Sequence, residues 1–198
     1  LQMKGIILAG GMGSRLLPLT KVTNKHLLPI GKLPMLVHSI VKLREAGISD
    51  IMIVTGTDHM GDMINLLGSG TEYGCKFTYK VQDQPDGIAG ALLLCEDFAK
   101  NDKFVVILGD NIFEDKLSEY VDLYRKGDKS CFLLLKKVPD PERYGVAVVE
   151  NGEIVSAVEK PKEHISDLCI TGIYMYDHNV FEEIKRLKPS GRGEYEIT

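Results

Sequence analysis

The sequence is poor in cysteine, and the four it has (Cys75, Cys95, Cys131 and Cys169) stand far apart, with no C-x-x-C pair. That spacing argues against a zinc site and against a disulfide scaffold. Three of the four fall in apolar runs and read as buried thiols of a reducing compartment. No apolar run approaches the ~20 residues of a membrane-spanning helix. The run from Gly5 to Gly11 is too short for the apolar region of a signal peptide and lacks a small-residue cleavage site. These absences predict a cytoplasmic protein with no membrane partner. An excess of positive charge is also missing: 24 basic residues face 28 acidic ones, a net charge of −4. Lys and Arg are scattered among the acids, so nothing attracts nucleic acid. No internal repeat or low-complexity linker interrupts the chain.

What is present is an ordinary globular composition: 198 residues, 44% hydrophobic and 26% charged. That is enough for one substantial core, and a single domain over residues 1–198 is expected. Short apolar runs alternate with amphipathic stretches, which predicts an α/β fold with a mostly parallel sheet. Strands are expected at Lys4–Ala9, Asp50–Thr55, Lys76–Val81 and Phe104–Leu108. Helices are expected at Pro34–Ala46, Asp58–Leu67, Ile88–Lys100 and around Lys116–Arg125. The pattern then changes. Cys131–Lys137, Gly145–Glu150, Ile154–Glu159 and Leu168–Tyr176 read as strands, with Asn151-Gly152 as a hairpin turn and Asn179–Leu187 as a helix. Residues 1–113 therefore look like a nucleotide-type βαβ half, and residues 114–198 like the other wall of a cleft. Ligands of such sheets bind beyond the carboxyl ends of the strands.

The most informative segment, Leu8-Ala-Gly-Gly-Met-Gly-Ser-Arg15, lies there, directly after the first strand. Glycines allow close backbone approach, so consecutive N–H groups can face phosphate oxygens. A dinucleotide-binding turn needs G-x-G-x-x-G and an acid after the second strand, but Thr55-Gly56 occupies that place. A P-loop needs Gly-Lys-Ser/Thr, which is absent. A plain tight turn remains the bland alternative for the glycines alone. His26, His59 and His178 have no metal-ligand spacing and read as surface residues.

With the flanking Asn24-Lys-His-Leu-Leu-Pro-Ile30, the run GIILAGGMGSRLLPLT…NKHLLPIGKLPM resembles the signature of the sugar-nucleotide pyrophosphorylases, near the thymidylyltransferases. The likeness continues in order through Tyr79-Lys-Val-Gln82, Pro85-Asp-Gly-Ile-Ala89, Leu108-Gly-Asp-Asn-Ile-Phe113, Asp140-Pro-Glu-Arg-Tyr-Gly145, Glu159-Lys-Pro161, Thr171-Gly-Ile-Tyr174 and Glu196-Ile-Thr198. The resemblance implies a three-layer, Rossmann-like fold of the nucleotide-diphospho-sugar transferase type. It also implies Mg²⁺-dependent transfer from dTTP or UTP to glucose 1-phosphate, with no protein nucleophile.

Carried over residue by residue, the resemblance puts Leu8, Gly10 and Gly11 against the nucleoside and phosphates, and Arg15 and Lys25 on the triphosphate. Gln82 and Gly87 would read the pyrimidine edge, and Asp110 would hold Mg²⁺. Gly145, Glu159 and Gly172 would bind sugar hydroxyls, and Lys160 the sugar phosphate. Taken singly, each has a bland rival: solvated charges for Arg15 and Lys25, a cap or turn for Asp110, an exposed ion pair for Glu159-Lys160. Two departures stand out. Gly90 replaces a polar residue that could touch base or ribose, and the family follows Glu-Ile-Thr with a metal-binding Asp, whereas this sequence ends at Thr198. The latter predicts a C-terminal truncation, or a module that binds nucleotide or sugar without completing catalysis. Cytidylyl or guanylyl transfer, another sugar 1-phosphate and a dinucleotide-binding oxidoreductase are further alternatives. Assembly into a homo-oligomer is left open.

Overall fold

The computed structural model describes residues 2–11 and 13–188, apart from the Arg15 side chain. Its frame is an eight-stranded sheet flanked by helices. In chain order the strands are β1 (Lys4–Ala9), β2 (Pro29–Ile30), β3 (Leu33–Pro34), β4 (Asp50–Thr55), β5 (Lys76–Val81), β6 (Phe104–Leu108), β7 (Cys131–Lys137), β8 (Gly145–Glu150), β9 (Glu153–Glu159) and β10 (Leu168–Tyr176). The helices are α1 (Met35–Glu45), α2 (Met60–Leu67), α3 (Ile88–Leu93), α4 (Glu96–Ala99), α5 (Leu117–Lys126) and α6 (Asn179–Arg186). The large sheet runs β5-β4-β1-β6-β10-β8-β9, with β7 on the other side of β10; β2 and β3 pair separately.

The parallel half forms because β1, β4 and β6 are apolar on both faces, and such strands must be covered on both sides. Within β1, Ile7 and Ala9 face one helix layer while Ile6 and Leu8 face the other. The first layer is α1, α2 and α5, which contribute Ile40, Met63 and Val121; the second is α3, α4 and α6, which contribute Leu92, Ala99 and Phe181. Fully burying a Leu, Ile or Phe side chain stabilises by about 1.5–3 kcal/mol, so these two apolar layers hold the sheet. The expected three-layer α/β architecture is what forms. The four strands β5, β4, β1 and β6 are parallel, and β10, β8 and β9 join them antiparallel.

Two features depart from the sequence pattern. The expected helix over Ile88–Lys100 breaks into α3 and α4, because the Cys95 N–H bonds to the Leu92 carbonyl, three residues back rather than four. Its buried thiol meanwhile points back to Ala91, and burial pushes the Cys95 pKa up to about 12. The β2–β3 ladder spans two residues each side of Gly31-Lys32, too short for any periodicity to announce. Among the thiols, Cys95 and Cys169 are buried as expected, but Cys131 is exposed at the start of β7. That strand lies at the sheet margin, bonded through β10 alone. The Asn151-Gly152 turn forms as expected, both residues taking positive φ (51° and 81°) between β8 and β9. No helix among the described residues is long and apolar enough to cross a membrane.

Candidate active site

The carboxyl ends of β1, β4, β5 and β6 open on one edge of the sheet, and β1 lies in the middle of them. A cavity of about 420 Å³ opens there, with Leu8, Gly10, Gly11, Lys25, Gln82, Gly87 and Asp110 in its wall. An adjoining hollow of about 340 Å³ shares Gly10, Gly11 and Gln82 and continues past Ser14 and Thr20. A larger hollow, about 720 Å³, lies between residues 111–115 and β7. Its wall is largely aromatic and aliphatic, with only scattered charge. Convergent polar groups mark a ligand site better than volume does, so the smaller cleft is the candidate.

At its centre, Lys25 Nζ donates to Asp110 Oδ2 at 2.6 Å. Partial burial alone would raise the Asp110 carboxyl. The hydrogen bond and charge of Lys25 outweigh it, helped by His26 and Asn111, and hold the group below the usual carboxylate range. Lys25 owes its position to a short helical turn, Lys25–Leu27, capped by Asn24, whose Oδ1 accepts from the His26 N–H at 2.9 Å. The same oxygen lies 2.7 Å from His26 Nδ1. An amide oxygen only accepts, so Nδ1 carries the imidazole proton. Asn24 Nδ2 reaches the Ala9 carbonyl at 3.4 Å, tying this turn to the end of β1.

His26 corrects the sequence reading: it is buried, not a surface residue, at 2% exposure. Burial, and then the charge of Lys25, drive its pKa down to about 4, against a smaller opposing pull from Asp110. It is therefore a neutral wedge near neutral pH. Its ring packs on Gly109, where an added methyl carbon would stand 2.8 Å from His26 Cδ2. The glycine before Asp110 is thus a close-packing requirement.

Asn111 links the two walls of the cleft. Its Nδ2 donates to Asp110 Oδ1 at 3.2 Å, and its Oδ1 accepts from the Gly172 N–H at 2.9 Å. Gly172 thereby joins β10 to the Asp110 loop. On the opposite wall, Gln82 follows β5, its N–H bonded to the Thr55 carbonyl at 2.8 Å. Its side-chain Nε2 donates to Asp86 Oδ1 at 2.6 Å and to the Gly87 carbonyl at 3.3 Å.

Gly145, Glu159 and Lys160 stand outside the lining of the 420 Å³ cavity, at the β8–β9 edge. Gly145 is the register partner of Glu159, and the Lys160 N–H bonds to the Tyr144 carbonyl at 3.0 Å. Lys160 Nζ lies 3.7 Å from Glu159 Oε1, with half of its side chain in solvent. Tyr174, buried on β10, feels charge from both regions: burial, then the negative charges of Glu159 and Asp110, push its hydroxyl up to about 12. The Arg15 side chain and Glu196–Thr198 lie outside the described residues.

Comparison with known proteins identifies the family. A model of the nucleotidyl transferase family matches residues 4–198. The chain is 41% identical to glucose-1-phosphate thymidylyltransferase of Neisseria meningitidis, over 99% of this chain and 69% of that one. It is 40% identical to the low-salt glycan biosynthesis nucleotidyltransferase Agl11 of Haloferax volcanii, over 99% of this chain and 55% of that one.

The chain belongs to the nucleotidyl transferase family.

A Bacillus anthracis crystal structure, described as a glucose-1-phosphate thymidylyltransferase in complex with a sucrose, superposes with a TM-score of 0.93 at 59% identity. It covers 99% of this chain and 80% of that one. UDP-glucose pyrophosphorylase complexed with UDP-glucose superposes at 0.86 with 30% identity, covering 100% of this chain and 84% of that one. The chain thus spans just over half of the haloarchaeal relative and about two thirds of the neisserial one.

Within this family fold, the residues that sequence reasoning passed over are the ones that hold others in place. Asn24, His26, Asp86 and Asn111 all lay inside the quoted motifs, but no role was assigned to them. Asn24 alone carried a readable signal, an Asn opening a turn. Among the described residues, no group of three or more His, Cys, Asp or Glu side chains converges as a metal cage. The donor set nevertheless suits Mg²⁺. This hard cation takes oxygen ligands and is commonly bound by one or two carboxylates plus substrate phosphates. Asp110 supplies one ionised carboxylate beside a cavity bordered by the glycine loop.

Proposed function

We propose that the protein transfers a nucleotidyl group from dTTP or UTP to glucose 1-phosphate, releasing pyrophosphate, in the cytoplasm. The observation that carries this reading is the convergence in one cleft of a glycine loop, the Lys25–Asp110 pair and the Gln82–Gly87 corner. Those are the three things the reaction needs: a phosphate cradle, countercharge and a base reader. The thymidylyltransferase and UDP-glucose pyrophosphorylase relatives support the substrate class. Four free cysteines support a reducing compartment.

A sugar phosphate oxygen attacks the α-phosphorus and forms a P–O bond as the α–β anhydride bond breaks. The electron pair of that bond leaves on pyrophosphate. No side chain needs to become covalently attached, so catalysis rests on positioning and charge. Leu8, Gly10 and Gly11 seat the nucleoside and phosphates, and Gln82 and Gly87 read the base. Lys25, with Arg15, stabilises charge appearing on the leaving group. Gly145, Glu159 and Gly172 orient the sugar, and Lys160 its phosphate. Asp110 would hold Mg²⁺, which when bound supplies charge neutralisation to the phosphates.

The test is pyrophosphate release scanned over dTTP, UTP, CTP and GTP against several sugar 1-phosphates. Turnover confined to dTTP or UTP with glucose 1-phosphate is expected. Tight nucleotide binding without turnover would overturn the enzyme reading in favour of a binding module. Preference for CTP or GTP would overturn the base assignment.

A further inference from the structure

We infer that Asp86 is a positioning residue that fixes the Gln82 carboxamide one way round and so selects the base, and that Gly90 makes room for it. The inference rests on the proposed nucleotidyl transfer. An isolated Gln amide can present either its oxygen or its nitrogen to a ligand, because the two ends are nearly the same shape. Here that ambiguity is removed. The two groups that meet one end of the Gln82 amide are the Asp86 carboxylate at 2.6 Å and the Gly87 carbonyl at 3.3 Å. Both only accept, so the amide nitrogen must face them.

The oxygen is left at the other end, over the glycine loop: a methyl carbon placed on Gly10 would stand 3.1 Å from Oε1. Gln82 and Gly10 both line the candidate cavity. The site therefore presents a fixed acceptor to the base. Thymine and uracil carry an N–H at position 3, which an acceptor pairs with. Cytosine carries a lone pair there, and two acceptors facing each other repel. The polarity of one amide thus separates imide bases from cytosine.

Gly90 is the second half of the device. One turn along α3, it faces Asp86 so closely that an added methyl carbon would lie 2.3 Å from Oδ1 and 2.6 Å from Oδ2. Any side chain at position 90 must push the carboxylate from its place. The departure noted in the sequence, glycine where a polar residue could touch the nucleotide, thus has a physical role. Direct contact from position 90 gives way to control of Gln82 through Asp86.

The test compares kcat/KM for dTTP, UTP and CTP in the wild type, Asp86→Ala, Asp86→Asn and Gly90→Ala, with thermal melting to confirm folding. In Asp86→Ala only the longer Gly87 contact, at 3.3 Å, still holds the amide, so it turns more freely, and preference for dTTP and UTP over CTP should fall by up to about tenfold, the worth of one neutral hydrogen bond. Asp86→Asn keeps an acceptor and should restore most of the preference. Gly90→Ala, which displaces rather than removes the carboxylate, should fall between. The change should appear mainly in KM, since no reacting atom is touched. An unchanged ratio of kcat/KM for dTTP and UTP over CTP in folded Asp86→Ala and Gly90→Ala overturns the inference, as does an equal loss for all three nucleotides. A wild type that turns over none of them would instead defeat the proposed reaction. The two failures are distinguishable.

Discussion

Replacing Lys25 with Ala should leave the protein folded and nearly inactive, and two magnitudes drawn from the structure explain why. The Lys25–Asp110 contact is short, at 2.6 Å, but Asp110 keeps 41% of its side chain in solvent and Lys25 keeps 20%. An ion pair so placed is screened, and its net worth is about 0–1 kcal/mol. For a domain of this size 1 kcal/mol moves Tm by about 2–4 °C, so a shift within that range is expected. During reaction the same ammonium faces charge that exists only as pyrophosphate departs. Loss of one preorganised contact of that kind costs ~2.7–4 kcal/mol, or ~10²–10³ in rate. The assay is steady-state pyrophosphate release, paired with thermal melting of the same sample. A loss of less than tenfold in kcat/KM, or a drop in Tm well beyond 4 °C, would refute the reasoning. The first result would mean that Lys25 is not at the reacting centre; the second would make it a structural residue.

Asp110→Asn should raise the Mg²⁺ concentration for half-maximal activity and cut turnover, because a neutral amide is a poor ligand for a hard cation; an unchanged Mg²⁺ titration would remove Asp110 from the metal site. Gly172→Ala should drive Asn111 from its place, since the added carbon would lie 2.3 Å from Nδ2. It should lower stability by about 0.5–1.5 kcal/mol for the lost hydrogen bond, and reduce activity through Asp110; wild-type Tm and turnover together would show that the Asn111 bridge is idle. At pH 8 a thiol reagent should reach the exposed Cys131 in the folded protein, though slowly because desolvation raises its pKa to about 11, and the buried Cys95 only on unfolding, checked by mass mapping of the labelled sites. Because burial raises the Cys95 pKa, its stabilising effect is complete below the ordinary thiol value near 9 and is lost as pH rises towards 12. Denaturation in urea should therefore become easier through that alkaline window, and less steeply so in Cys95→Ala.

The fold was legible where local chemistry and tertiary environment demand the same residues. The boundaries of β1, β4, β5 and β6 are readable to the residue, because each is an apolar or alternating run cut off by turn residues, and buried parallel strands need such runs. The break between α3 and α4 was not legible. Residues 88–100 read as one apolar helix, and what divides them is the three-residue bond at Cys95, a product of packing. Cys131 misled for a related reason. Its apolar neighbourhood signalled burial, but its strand has only one bonded neighbour in the sheet.

The site divides along the same line, by the distance over which each role is decided. The glycines after β1 and the Asp after β6 announce themselves, since a strand end in a parallel sheet is where ligands gather and each lies directly in sequence beyond one. Asn111 is different: its amide nitrogen meets the adjacent Asp110, but the contact that holds its other end comes from Gly172, 61 residues later, which nothing in its own segment announces. His26 is hidden for a similar reason: Gly109, far along the chain, leaves room for its ring, and burial, then the charge of Lys25, keeps the imidazole neutral. Asp86 and Gly90 lie only four residues apart, yet the reason for the glycine emerges only when the helix turn sets one beside the other. The residues proposed to face the ligand could thus be read along the chain. Those that orient them became readable only once the walls of the cleft stood next to each other.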